Sequence, residues 1–174
     1  ELRVDLKKHK KLRASGDLIF TKSGIRGPVV LDFAREVTPL LKKYGEVPLL
    51  LNLTKGMNEE QITNHLKNAA LKNPDANVVQ LTATLLPEAL SLELCKLAGV
   101  DLNATLSKQS GKSRAKLIGL LAWTPLTVNG HDGFKMAMIT RGGINLKEIN
   151  PKTMRSKLVD GLYFCGEVMN LDGP

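Results

Sequence analysis

Apolar and polar positions alternate at the start of the chain. Leu2-Arg-Val-Asp-Leu6 has the period of a half-buried strand. Lys7 to Lys11 is too polar for a core and suits a turn or an exposed edge. Asp17 to Thr21 reads as a second short strand after Gly16. Gly24 and Gly27 bracket a loop, and Pro28 stands where a helix can begin, at its first position. Val29, Leu31, Phe33, Ala34, Val37 and Leu41 partly follow helical spacing through Lys43, with Gly45 as the stop. Pro39 lies inside that run and is a point of kinking or shortening. Val47 to Leu53 is a compact apolar run containing Pro48, a strand with an irregular start.

The pattern changes after Gly56. Asn58 with Gln61 three residues on is a capping-box variant, and Ile62, Leu66, Ala69 and Ala70 make one apolar helical face. Asn73-Pro74 ends that helix, and Val78-Val79 with Leu81 opens a short segment. Leu85 to Leu97 reads as a second helix, started at Pro87, stopped at Gly99, with Leu90, Leu94 and Leu97 on one side. Leu102 to Leu106 suits a short helical turn. Ser110 to Ala122 is a third helix with Ala115, Ile118, Leu121 and Ala122 inward. Trp123 is expected at the boundary of bundle and strands. Beyond it, Thr124 to Val128 and Phe134 to Thr140 are joined by Asn129-Gly-His-Asp-Gly133, a hairpin with a longer loop. The expected fold class is α+β. Residues 1–56 and 123–141, with a helix near 28–43, form a β subdomain, and a small helical bundle at 57–122 is inserted in it.

Composition narrows this further. Hydrophobic residues make up 43% of the 174 but aromatic ones only 4%, so the core must rest on Leu, Val, Ile and Ala. No apolar run approaches the roughly 18 residues of a membrane span, and no signal-peptide pattern occurs. The two cysteines, Cys95 and Cys165, have no metal-ligand spacing, and no metal site is expected. A reducing, cytoplasmic setting fits. The formal net charge of +8 is unevenly spread. Between Glu1 and Arg26 there are eight Lys/Arg against three acids, and Lys108, Lys112, Arg114 and Lys116 form a second cluster. Met57 to Leu106 holds six acids and three bases. This balance permits binding to nucleic acid or another polyanion. A solvated surface, or a face turned to an acidic partner domain, is the simpler explanation.

The chemistry-bearing residues gather near the end of the chain. Leu162-Tyr-Phe-Cys165 is a short apolar strand that runs into Gly166-Glu167, and Asp172-Gly173 follows. Taken alone, this is a strand and a tight turn with a solvated carboxylate. Gly142-Gly143 allows a hinge, a turn, or close approach to a ring or another backbone. Arg141 suits either an anionic substrate or plain solvent. Cys165 reads as a small apolar strand residue, His131 as a solvated loop tip, and His9 and His65 as lacking partners. No nucleophile motif or carboxylate pair supports hydrolysis, and no residue is assigned a catalytic role.

Several stretches carry a resemblance. Gly24-Ile-Arg-Gly-Pro-Val-Val-Leu31, Thr140-x-Gly-Gly-Ile144, the run from Lys147 to Lys157, and Gly161-Leu-Tyr-Phe-Cys-Gly-Glu167 are similar to the HI0933-like family of FAD-dependent oxidoreductases. The resemblance covers both ends of the chain well and the middle loosely. It implies a barrel-like β part plus a helical part, with residues 142–174 a fragment of the FAD-binding domain that includes one truncated strand. It implies FAD as the cofactor of the intact protein. Gly166 would give backbone clearance, Glu167 would lie beside the ribityl or pyrophosphate region, and Gly142, Gly143, Asp172 and Gly173 would belong to the same side.

The departures are informative too. The G-x-G-x-x-G fingerprint that opens such flavoproteins does not occur here. The chain therefore reads as an insert domain that shapes the substrate side of a flavin site. It would be inactive alone and without tight FAD binding of its own. Its partners would be a missing N-terminal FAD-binding domain of the same polypeptide and an unknown small-molecule substrate, with no membrane. The alternative is a basic, non-enzymatic module for nucleic acid or an acidic partner, against which the scarcity of aromatic residues weighs. A purely structural insert mediating self-association is a third reading.

Overall fold

The computed structural model describes residues 1–133, 137 and 141–171. The described chain divides into two compact units, residues 1–130 and 131–174. The first holds six strands and five α-helices. They are β1 (Leu2–Val4), β2 (Arg13–Ala14), β3 (Ile19–Thr21), β4 (Gly24–Arg26), α1 (Pro28–Tyr44), β5 (Val47–Leu51), α2 (Glu59–Lys72), α3 (Val78–Thr82), α4 (Glu88–Ala98), α5 (Gly111–Ala122) and β6 (Thr124–Val128).

Four strands form one antiparallel sheet in the order β2-β1-β5-β6, and β3 and β4 form a separate hairpin. In the sheet Val4 faces Leu49, and Val47 faces Val128. Alternation in β5 is complete: Val47, Leu49 and Leu51 are buried while Pro48 and Leu50 are half-buried. Pro48 has no N–H to give, but its carbonyl accepts from the Asp5 backbone N–H at 2.8 Å. Helix α1 starts at Pro28, runs through Pro39, and lays Val29, Phe33, Val37 and Leu40 against Leu2, Val4 and the inner face of β5. Pro39 does not end the helix.

The second core of this unit is helical. Ile62, Leu66, Val78, Leu81, Leu94, Cys95, Leu117 and Leu121 are its centre. Helix α2 begins with a full capping box, in which Asn58 Oδ1 accepts from the Gln61 N–H at 2.8 Å and Gln61 Oε1 accepts from the Asn58 N–H at 2.9 Å. Asn77 and Gln80 repeat the device for α3, at 2.9 Å in each direction. Helix α4 turns a different face inward than the leucine spacing predicts. Leu94 is buried, but its neighbours inside are Ser91, Cys95 and Ala98, and Leu97 is 60% exposed. Small side chains let the neighbouring helices approach closely, which a row of leucines would prevent. In α5 the most buried side chains are Leu117 and Leu121, while Ala115 is exposed. The indole of Trp123 packs on the helical core, and the Arg3 guanidinium lies 4.2 Å from its ring centre.

The second unit contains no α-helix and no strand among the described residues, only short 3-10 turns at Leu146–Glu148 and Gly166–Val168 and isolated bridges. The expected strand Phe134–Thr140 falls, apart from residue 137, outside the described residues. The expected strand Leu162–Cys165 is reduced to one bridge between Arg155 and Tyr163. Its backbone finds partners in the loop at 154–156: the Ser156 N–H donates to the Leu162 carbonyl at 2.8 Å, and the Phe164 N–H donates to Met154 at 2.9 Å. A strand needs a neighbour of its own length, and this loop satisfies only part of one edge.

Candidate functional site

The stretch from Lys147 to Lys157 is a self-satisfied loop. Asn150 Oδ1 accepts from the Lys152 N–H at 3.0 Å, which closes an Asx turn over Pro151. Ser156 is buried, and its hydroxyl oxygen accepts from the Leu158 and Val159 N–H groups at 3.1 and 3.0 Å. The Lys157 ammonium donates to the Lys147 carbonyl at 2.9 Å, and Arg155 pairs with Asp160 at 2.7 Å. Ile149 is the buried apolar centre. These residues build a platform rather than a reactive cluster.

Two glycine-bearing segments meet beside that platform. Ile144 and Met169 form a parallel bridge, with the Ile144 N–H donating to Val168 at 2.9 Å and the Asn170 N–H donating to Ile144 at 3.0 Å. Gly143, at φ 148°, lies directly on the other segment. A Cβ there would clash with the Val168 carbonyl oxygen. Of the readings open for Gly142-Gly143, close approach to another backbone describes Gly143. The structure thus brings Gly142, Gly143, Gly166 and Glu167 to one place, although more than twenty residues separate the two pairs. Asp172 and Gly173 lie outside the described residues.

Gly166 has φ 73° and Gly142 has φ 101°, and neither has any atom within 4 Å of where a Cβ would stand. The Glu167 carboxylate is exposed and has no hydrogen bond or ion pair among the described residues. Cys165 is exposed as well, not the packed strand residue its apolar neighbours suggest. The chemistry this corner offers is a free hydrogen-bond acceptor beside open backbone.

Elsewhere the candidates resolve into structure. His65 Nε2 lies 2.9 Å from the Thr84 hydroxyl, and His9 Nε2 lies 3.4 Å from the Tyr44 hydroxyl, so both have partners that sequence spacing did not reveal. His131 Nδ1 accepts from the Gly133 N–H at 3.0 Å within its own loop. Burial pushes the Cys95 thiol above its ordinary pKa, against a smaller opposing effect of the Thr82 hydroxyl. No group of three metal-ligating side chains occurs among the described residues, and no helix of theirs is long and apolar enough to cross a membrane. A groove of about 320 Å³ between α2 and α5 is lined by Leu66, Lys67, Leu106, Arg114 and Ile118 among others, and none of the glycine-corner residues belongs to it.

Comparison with known proteins decides the family. A sequence profile described as the HI0933-like protein barrel and H2TH domain matches residues 1–139. The chain belongs to the HI0933-like family. This HI0933-like chain is 31% identical over 157 residues to the ribosomal RNA dihydrouridine synthase of Escherichia coli (strain K12), covering 90% of the chain and 37% of that protein. It is 33% identical over 156 residues to the protein of the same name from Haemophilus influenzae (strain ATCC 51907 / DSM 11121 / KW20 / Rd), covering 90% and 36%. It is 26% identical over 159 residues to the 3-dehydro-bile acid delta(4,6)-reductase of Clostridium scindens (strain ATCC 35704 / DSM 5676 / VPI 13733 / 19), covering 91% and 39%. The chain therefore spans a little over a third of the length of these curated relatives. The matched residues 1–139 include helices α2 to α5, which build the second core.

Proposed function

We propose that this chain is the barrel and H2TH part of an FAD-dependent reductase that saturates a uridine ring in ribosomal RNA. The observation that carries the reading is the match to two ribosomal RNA dihydrouridine synthases over 90% of the chain. The net charge of +8 supports a polyanionic substrate and joins the oxidoreductase and nucleic-acid readings in one protein. Dihydrouridine differs from uridine by two hydrogens across one ring C=C bond, so the reaction needs a hydride and a proton. Bound FAD, once reduced, would supply the hydride.

The residues of this chain fit a position beside that cofactor. Gly142 and Gly166 leave open space for its backbone-hugging portion, and Glu167 offers an unengaged carboxylate to a sugar hydroxyl. Gly143 lets the two segments approach, and Ile144 bonds them together. The chain contributes binding, orientation and one wall of the site, while the G-x-G-x-x-G portion would come from another part of the polypeptide.

The bile-acid relative supports a second reading, in which the substrate is a small ring compound with a conjugated C=C bond. The test uses the full-length protein and cells lacking it. The expected result is a flavin spectrum with FAD released on denaturation, and a dihydrouridine missing from ribosomal RNA that returns with the gene. A colourless full-length protein that takes up no added FAD overturns the cofactor assignment. Flavin present with ribosomal dihydrouridine unchanged overturns the RNA substrate and leaves the small ring compound.

A further inference from the structure

The β1–β2 turn and the end of α1 lie far apart in sequence and together in the fold. The turn is tied by the His9 N–H donating to Leu6 at 2.8 Å and the Leu12 N–H donating to His9 at 2.9 Å. The side chain of His9 reaches Tyr44, the last residue of α1, with ring centres 6.0 Å apart in an edge-on arrangement. The backbone of Asp5 bonds to Pro48 just beyond α1, which fixes the same approach from the sheet. Lys7, Lys8, Lys10 and Lys11 on the turn therefore share one end of the sheet with Lys42 and Lys43 on the helix, and all six are exposed. None of the six is in an ion pair among the described residues. Lys43 stands 5.1 Å from the Tyr44 ring centre. The flanking carboxylates are Asp5 and Glu46, so the surplus is strongly positive.

Local structure accounts for only part of this. Lys42 and Lys43 complement the negative end of the α1 dipole. The four turn lysines have no such role. Six clustered lysines without carboxylate partners offer mobile point charges, which suit phosphates rather than base edges. A lipid surface fits less well, because Tyr44 is the only large apolar side chain standing exposed in residues 5–13 and 42–46.

We infer that this end of the sheet, Lys7, Lys8, Lys10 and Lys11 with Lys42 and Lys43, is a docking site for the phosphate backbone of the RNA substrate. It grips RNA without reading its sequence, leaving choice of the target base to the flavin side. The inference rests on the proposed RNA substrate, so its test separates the two.

The 174-residue chain is titrated with end-labelled fragments of purified ribosomal RNA over a range of salt concentrations. The quadruple variant Lys7→Gln, Lys8→Gln, Lys10→Gln, Lys11→Gln is expected to bind at least about tenfold more weakly near physiological salt. Its log–log salt slope should be shallower by about 3, because each lost phosphate contact removes about 0.7 for single strands. The pair Lys42→Gln, Lys43→Gln, on the other segment, should lower the slope by about 1 and checks the result should the first variant fold poorly. Neutralising Lys108, Lys112 and Lys116 should change affinity by less than about twofold. Wild-type binding with unchanged affinity and slope in the first two variants overturns the docking site and leaves the RNA substrate standing. No wild-type binding also overturns the site, and ribosomal dihydrouridine then judges the substrate separately. If the variants lose affinity for polyglutamate but not for RNA, the surface belongs to an acidic protein and the inference fails.

Discussion

Residues 1–130 and residues 131–174 are held together by different means. The first unit owns both hydrophobic cores, one on the sheet and α1 and one among α2 to α5. The second has Ile149 as its buried apolar residue and Ser156 as its buried polar one, among the described residues. Leu158, Val159, Leu162, Tyr163, Val168 and Leu171 all stand exposed there. Its order comes from Asx turns, a buried hydroxyl and isolated bridges. Local hydrogen bonds can set a loop's shape, but without apolar burial they supply little cooperative stability. The glycine corner is therefore built on the unit with less apolar burial.

The sharpest way to break that contrast is to remove core leucines. Leu66→Ala or Leu117→Ala, both fully buried, should each lower unfolding free energy by about 2–5 kcal/mol in a denaturant titration. Leu158→Ala or Leu171→Ala, at 72% and 68% exposure, should change it by less than about 0.5 kcal/mol. Similar losses in both sets would show that the second unit has a core after all.

A smaller effect sharpens the contrast from the other side. Gly143→Ala places a Cβ against the Val168 carbonyl and should part the two glycine segments, at a local cost of about 1–3 kcal/mol. Hydrogen exchange at the Ile144 and Asn170 amides, which bond across that contact, should accelerate about tenfold or more. The main melting transition should stay where it is. A lowered transition with unchanged exchange would mean that the segment is coupled to the main cores.

The same division separates what the residue pattern reveals from what it hides. Elements with local signals stand where expected: α1 at Pro28, α2 at its Asn58 box, the Lys7–Lys11 turn, and β5 within the apolar run Val47–Leu53, ending at Leu51. The inward face of α4 was hidden because Ser91, Cys95 and Ala98 are buried for their small size, which leucine spacing does not register. The strand at Leu162–Cys165 was expected from four apolar residues, yet pairing depends on a neighbour that no local pattern contains. At the candidate site, the family resemblance groups Gly142-Gly143 with Gly166-Glu167, but no local pattern shows how the two segments touch. Their meeting through Ile144 and Met169 is a long-range contact, as is the joining of the lysine-bearing turn to α1 through His9 and Tyr44.

Helix caps give a test of about 1 kcal/mol. Asn58→Ala and Asn77→Ala each remove a side-chain acceptor and half of a reciprocal pair, and each should lower stability by about that amount. Asn77 escaped the pattern because the helix it starts is only five residues long. Its box matters more than that length suggests, since the Val78, Leu81 and Thr82 it positions are fully buried. A loss at Asn77 equal to or above that at Asn58 would show that burial behind the cap, not helix length, sets its worth.

The two thiols give the mildest comparison, one in each unit. Cys95 is buried in the helical core and Cys165 is exposed beside Gly166. A disulfide reagent should modify Cys165 in the folded chain and reach Cys95 only when denaturant opens the core, at least about a hundredfold more slowly in buffer. Burial holds the Cys95 thiol above its ordinary pKa of 9.0, so folding favours the neutral form. The stability this contributes is complete below about pH 9. It declines as pH rises further, because the unfolded chain then ionises the thiol while the folded chain still resists. Cys95→Ala should flatten that decline, and Cys165→Ala should leave it unchanged. Equal reactivity of both thiols in buffer would mean that α4 opens far more readily than its packing on α3 and α5 implies.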